Sequence, residues 1–211
     1  MKLRHDENAF YTHQPVLFAA LELSGGPVLE LGVGEGSTQL IHDYCMKRKR
    51  SVVSVESDER WLKRYTHLAN AYHEFFHIKD WNAFYADVTR KHWGLAFIDQ
   101  AFIDQDSSDG FKNRAESFRQ LRDHTDYIVL HDCDAFPKHG LLGKQIRPMI
   151  NERDPGERDW STDIFYAKEF HPKRWLCSLG GDKRTGPPTL LASNTLPCDI
   201  EVDFDRKEVD L

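Results

Sequence analysis

The chain has 211 residues, enough for one domain of ordinary to large size with a full core. Its 40% hydrophobic and 29% charged residues are globular proportions. No apolar run approaches the roughly 18 to 20 residues that cross a bilayer, so no membrane partner is expected. The formal net charge of −6 argues against nucleic acid as a partner.

The opening MKLRHDENAFYTHQ has no apolar stretch and carries acids early, unlike a secretory signal. Residues 1–24 read as a helical lead-in: HQPVLFAALELS places apolar residues at helical spacing, and Gly25, Gly26 and Pro27 stop the helix. VLELGVG follows as a short buried strand that runs into glycines. A helix from about Ser37 to Lys49 ends in the basic run Lys47 to Arg50, where cations complement the helix dipole. Next come the strand SVVSVES and a helix from about Asp58 to Asn70, with Asp58 in its first turn. FFHIKD reads as a third strand and WGLAFID as a fourth. A helix from about Asn113 to His124 leads to YIVLHD, the fifth strand. Lys138 to Asn151 is a weaker helix, STDIFYAKEF a sixth strand and TLLASN a seventh.

This alternation, with mostly apolar strands, predicts one α/β domain over 1–211. Its architecture is a Rossmann-like, doubly wound, seven-stranded and mostly parallel sheet with helices on both faces. The last two strands lack an ordinary helix between them, which predicts an antiparallel edge. The tail, 197–211, alternates acids with Ile200, Val202 and Phe204, as an extra edge strand or a solvated acidic tail. The four cysteines, Cys45, Cys133, Cys177 and Cys198, form no C-x-x-C pair. Reduced thiols in a cytoplasmic protein are expected, and a structural zinc site is not.

The strongest functional signal is VLELGVGEGST, where a strand turns through Gly32, Gly34 and Gly36 into a helix. Such glycines allow close backbone approach to a ligand at the C-terminal edge of a parallel sheet. A dinucleotide loop would follow G-x-G-x-x-G, but the sixth position here is Ser37. Glu30, ahead of the first glycine, would repel a pyrophosphate. It suits a cationic ligand such as the sulfonium and amino group of S-adenosylmethionine. Glu56, at the tip of the next strand, is placed to accept ribose hydroxyls.

On these residues the chain resembles the class I S-adenosylmethionine-dependent methyltransferases, within them a group of small methyltransferase-like proteins. The likeness runs from HQPVLFAALEL through GPVLELGVGEGST and VVSVESDERWL to KDW, GLAFID, YIVLHD and PPTLLASN. The resemblance implies that Glu30, Gly32 and Gly34 lie against the methionine part of the cofactor and that Glu56 holds its ribose. It places Ser57 beside the adenine, and Asp80 and Trp81 at the adenine-contacting end of the third strand. Trp81 is equally readable as a core aromatic. The fourth strand then ends in an acid beside the transferable methyl group.

That acid is ambiguous, because residues 96–105 read AFIDQAFIDQ. Ten residues in one strand would overrun neighbours that average about five to six, and a shift of five reverses the face each residue presents. One copy must leave the sheet. Asp99 is the expected strand tip, with Ala101 to Asp104 starting a loop over the pocket; the alternative puts Asp104 at the tip. The following DQDSSDG is not a calcium loop, since Asp109 stands where glycine is required.

The fifth strand brings His131 and Asp132 to the edge that carries Asp99. Two mechanisms are open. His131 or an acid removes a proton from the acceptor, or Asp99 and Asp132 share a magnesium ion that orients it. Alternatively, Asp132 caps a loop and His131 is a satisfied core histidine. Among the other histidines only His13 is a candidate. The aromatic stretch between Trp160 and Trp175 reads as an acceptor-pocket lining or as core. The acceptor is expected to be a small molecule, and no motif names it. A non-catalytic domain that binds S-adenosylmethionine or S-adenosylhomocysteine is the competing reading; an NAD-dependent oxidoreductase is disfavoured by Ser37 and Glu30.

Overall fold

The computed structural model describes residues 1–5, 7, 11–100, 107–133, 166–171, 174–176, 183–185 and 187–210. Helix α1 (Gln14–Leu23) starts with Pro15 in its first turn and leads to strand β1 (Val28–Leu31). Helix α2 (Thr38–Lys47) connects β1 to β2 (Val52–Glu56), and α3 (Glu59–Tyr65) leads on to β3 (His73–His77). Then follow α4 (Trp81–Val88), β4 (Trp93–Ile98), α5 (Ser107–Leu121) and β5 (Thr125–His131). The remaining strands are β6 (Tyr166–Phe170), β7 (Arg174–Leu176), β8 (Lys183–Thr185) and β9 (Thr189–Ser193).

Seven strands form one sheet in the order β3-β2-β1-β4-β5-β9-β6. The first five are parallel, and β9 runs antiparallel to both β5 and β6. The expected Rossmann-like, mostly parallel sheet is therefore present. The last two strands of this sheet, β6 and β9, pair antiparallel at its edge as expected, with β6 outermost. A short β7–β8 hairpin, which the apolar pattern does not announce, stands outside this sheet.

Strand alternation divides the core in two. Val28, Val52, Leu95, Phe97 and Val129 face α1 and α2. Leu29, Leu31, Ala96, Ile98 and Leu130 face α4 and α5. The central strands β1, β4, β5 and β9 are buried on both faces, so their sequences are mostly apolar rather than alternating.

Several boundaries differ from the sequence expectation. Helix α5 begins six residues before Asn113, and Ser107–Gly110 of the rejected calcium loop is its first turn. The basic run ends α2 as expected, and Arg50 goes further: its guanidinium donates to the carbonyls of Leu21, at 3.1 Å, and Gly25, at 2.7 Å, at the end of α1. Over 197–210 the C-terminal segment is neither a strand of the sheet nor a free tail. Lys2 and Glu208 form an isolated bridge, Val209 N–H donates to Met1 O, and Val209 and Cys198 are buried. Lys138–Asn151 and the lid expected at Ala101–Asp104 lie outside the described residues.

Phe118 is fully buried on the face of α5 that packs on β4 and β5. Phe118→Ala is expected to cost about 3 to 5 kcal/mol. Urea unfolding measures it, and a loss under about 1 kcal/mol would show that α5 is not anchored there.

Candidate functional site

The order β2-β1-β4-β5 reverses direction between β1 and β4, and the crevice outside the C-terminal ends of those strands is where ligands bind in such sheets. Gly32 lies at this switch point. Its φ is +92°, and a Cβ there would come within 2.7 Å of the Asp99–Gln100 backbone. The glycine thus lets the ends of β1 and β4 close against each other. Gly34 is different, because a Cβ there would meet nothing within 4 Å. It faces the open side of the loop, where a ligand could approach.

Glu30 and Glu56 both hold this loop. Glu30 is fully buried and accepts hydrogen bonds from Ser37 Oγ (2.6 Å), Thr38 Oγ1 (2.9 Å) and Ser54 Oγ (2.5 Å). These hydroxyls come from the start of α2 and from β2, so the carboxyl joins three pieces of chain. Ser54 in turn meets His73 Nε2 at 2.8 Å, and His73 Nδ1 meets His42 Nδ1 at 3.0 Å. Burial pushes Glu30 up to about 7, against the opposing effect of the three hydroxyls. Its contacts are all with protein, so any influence on a ligand passes through the loop and through its field. Glu56 Oε2 accepts from Val33 N–H at 3.0 Å, and Oε1 accepts from Ser57 N–H at 2.7 Å and Asp58 N–H at 2.8 Å. Three amides therefore aim the carboxylate, and burial raises its pKa despite them.

Asp80 and Trp81 do not sit on the third strand, which ends at His77. Asp80 caps α4, its Oδ1 accepting from Asn82 N–H (2.9 Å) and Ala83 N–H (3.2 Å). Trp81 opens that helix, half-buried against Phe84 and Tyr85. Ser57 remains beside Glu56, and its carbonyl accepts from His77 Nε2 at 3.0 Å.

The first AFIDQ copy is the strand. β4 ends at Ile98, Asp99 N–H donates to Leu31 O at 2.8 Å, and Asp99 stands at the tip. Asp104 lies outside the described residues. Asp99, His131 and Asp132 converge as expected, around a residue the sequence reading passed over. Arg114, buried on α5, reaches Asp99 Oδ1 at 2.8 Å and Asp132 Oδ2 at 2.9 Å. It also donates to the backbone carbonyls of Gln100 (2.9 Å) and His131 (3.0 Å). The cation between the two carboxylates is thus a guanidinium, which removes the reason for the expected Asp99–Asp132 magnesium pair. A signal for Arg114 existed: it shares the i, i+4, i+7 stripe of Phe118 and Leu121, where a charge is out of place.

His131 lies between the acids. Its Nδ1 meets Asp99 Oδ1 at 3.2 Å, and its Nε2 is 3.5 Å from Asp132 Oδ1 and 3.2 Å from Thr12 Oγ1. Burial alone would lower its pKa, but Asp132 and Asp99 outweigh burial and raise it. Asp99 is held well below the usual carboxylate range, because Arg114 and His131 overcome its desolvation. Asp132 has φ +53°, a left-handed conformation uncommon for a non-glycine residue and typical of functional edges. His13, at the start of α1, packs edge-on against His131 with ring centroids 4.4 Å apart and against Phe97 at 4.8 Å. Desolvation, then His131, lowers its pKa to about 3, so the ring is neutral.

No family model and no curated protein matches the sequence. Solved structures do match the fold. Cofactor-bound Rv0187 from MTB aligns with TM-score 0.59 and 14% identity over 87% of this chain and 80% of its own. A Streptococcus mutans protein assigned as a SAM-dependent methyltransferase aligns with TM-score 0.53 and 14% identity over 86% of this chain. The METTL16 methyltransferase domain aligns with TM-score 0.50 and 11% identity over 82% of this chain and 74% of its own. The chain spans 38% of the bifunctional kinase-methyltransferase WbdD and 48% of the Streptococcus mutans protein, less than half of each. The fold is that of the class I S-adenosylmethionine-dependent methyltransferases.

Two outcomes test the site's electrostatics. Arg114→Met leaves two buried carboxylates facing each other and is expected to cost about 3 to 5 kcal/mol. Adding Asp99→Asn should recover part of that loss, as seen by urea unfolding of the double variant. For Glu30, a pKa raised in the folded state contributes stability below its unfolded value of roughly 4.3, and this is lost as pH rises through about 7. The stability of the native chain relative to Glu30→Gln should therefore fall between about pH 5 and pH 8. A constant difference across that range would show that Glu30 is ionised throughout.

Proposed function

We propose that this chain binds S-adenosylmethionine at the β1–α2 loop and transfers its methyl group to a small-molecule acceptor. The observation that carries the reading is the pairing of two features at the switch point. Gly34 presents open backbone, and Glu56, aimed by three amides, stands at the adjoining strand tip. The fold shared with neighbours that include a SAM-dependent methyltransferase, and with one solved cofactor-bound, supports the reading.

Bound there, S-adenosylmethionine would supply an electrophilic methyl carbon on a sulfonium. The chain's part is to hold the acceptor in line with it and to take up a proton. Glu56 would accept the ribose hydroxyls, with Ser57 and the Asp80–Trp81 turn toward the adenine. His131 is the proton acceptor, since Asp99 and Asp132 stabilise its cation. Asp99 and Asp132 act on the imidazole rather than directly on the acceptor, because Arg114 already engages both. That same engagement favours a second reading, a domain that binds the cofactor without turnover. Cys45 and Cys198 are buried thiols outside any disulfide, which suits a cytoplasmic setting. Among the described residues, no helix is long and apolar enough to cross a membrane.

A thermal-shift series with S-adenosylmethionine, S-adenosylhomocysteine and NAD tests the reading. Near a hundred times Kd, binding adds roughly 2.7 kcal/mol, or about 5 to 11 °C in Tm. The two sulfur ligands should shift the native chain and leave Glu56→Ala unmoved. A shift with NAD alone, or with none of the three, would remove the proposal.

A further inference from the structure

His13, Asp99 and His131 are gathered at one point, each offering a ligand atom, with these atoms all within 4.8 Å of one another. They come from three separate elements: the start of α1, the tip of β4 and the end of β5. The His13 ring is buried and neither of its nitrogens makes a hydrogen bond to another side chain; the backbone of Gly36 is the polar group beside it. A buried imidazole with so little hydrogen bonding needs a reason. Neither packing against Phe97 nor the edge contact with His131 uses its polar atoms.

We propose that His13, Asp99 and His131 form a binding site for one divalent transition-metal ion of the zinc type. Two imidazoles and one carboxylate are the donor set of three-ligand sites that keep a further position open. His131 Nδ1 faces Asp99, while its Nε2 is backed by Thr12 and Asp132. An outer carboxylate or hydroxyl behind a ligating histidine fixes the ring and its tautomer. The ion takes the place of the proton shared between His131 Nδ1 and Asp99 Oδ1, leaving Asp99 Oδ2 or Oδ1 as the oxygen donor. Arg114 draws on the same carboxylate, so too little negative charge is left for a hard ion such as magnesium. The imidazoles favour zinc, cobalt or iron(II). With the ion bound, His131 is a ligand and not the proton acceptor; the open position would bind an acceptor hydroxyl and lower its pKa, so that its proton leaves to water. That use of the ion rests on the methyltransferase reading; the ion site itself does not.

The test uses the untagged full chain, stripped with a chelator, desalted and titrated with Co²⁺ and then Zn²⁺. About one Co²⁺ per chain should be retained, give visible d–d bands, and be displaced by Zn²⁺. His13→Ala, His131→Ala and Asp99→Asn should each weaken binding at least about tenfold, and His92→Ala, at an exposed site elsewhere, should not. His13→Cys gives a check independent of lost folding, because a thiolate at that position adds a sulfur-to-cobalt charge-transfer band. Native retention of no ion, unchanged binding in His13→Ala, or a folded His13→Cys protein without the new band would each overturn the site. Metal binding without a shift by S-adenosylmethionine would sink the methyl-transfer reading and keep the ion site. The reverse result would sink the ion site alone.

Discussion

One buried guanidinium ties the functional edge together. Arg114 reaches the tips of β4 and β5 at once, through two carboxylates and the backbone carbonyls that end each strand. Isolated in the interior it would be very costly; paired with Asp99 and Asp132 it becomes the point where both strand ends are registered. When His131 takes up a proton, two positive and two negative groups balance locally. The reactive groups of this edge are therefore not loose side chains in a cleft. They belong to one hydrogen-bonded cluster, whose geometry α5 sets from the opposite side of the sheet.

The neighbouring glycine loop is organised by the opposite sign. Glu30 lies beneath it and Glu56 beside it, and each is met by hydroxyl or amide donors rather than by a cation. Two carboxyls, both raised in pKa by burial, thus lie under a backbone that faces outward at Gly34. Carboxyls in that position disfavour a phosphate at the loop, in contrast to a dinucleotide site. The crevice thus has two halves, a carboxyl-rich side around the glycine loop and a balanced, imidazole-rich side.

The N-terminal segment completes the second half. Thr12 and His13 precede α1 in sequence, yet in space they stand against His131 and Phe97 on β5 and β4. Tyr11 donates to Glu35 of the glycine loop at 2.7 Å, so the same short segment touches both halves of the crevice. The C-terminal segment pairs with this lead-in through Met1, Leu3 and Val209. What precedes the first helix is therefore part of the site's frame.

Periodicity and turn chemistry, which are local, were enough to predict the α/β alternation, the glycine turn, the acids at the tips of β1 and β2, and Asp99 as the end of β4. The repeat itself determined that one AFIDQ copy must leave the sheet, because five is odd and strands are short. Other features depended on contacts between residues far apart in the chain. No local pattern says that β9 inserts between β5 and β6, since strand order is settled by which edges are left to pair. Nor does it say that Asp80 spends its oxygen on a helix cap, or that 197–210 returns to the N-terminus. Above all, Arg114 and His13 carry no motif. Their roles exist only because the fold brings α5 and the start of α1 to the same strand ends, where burial makes a charge or a lone pair count.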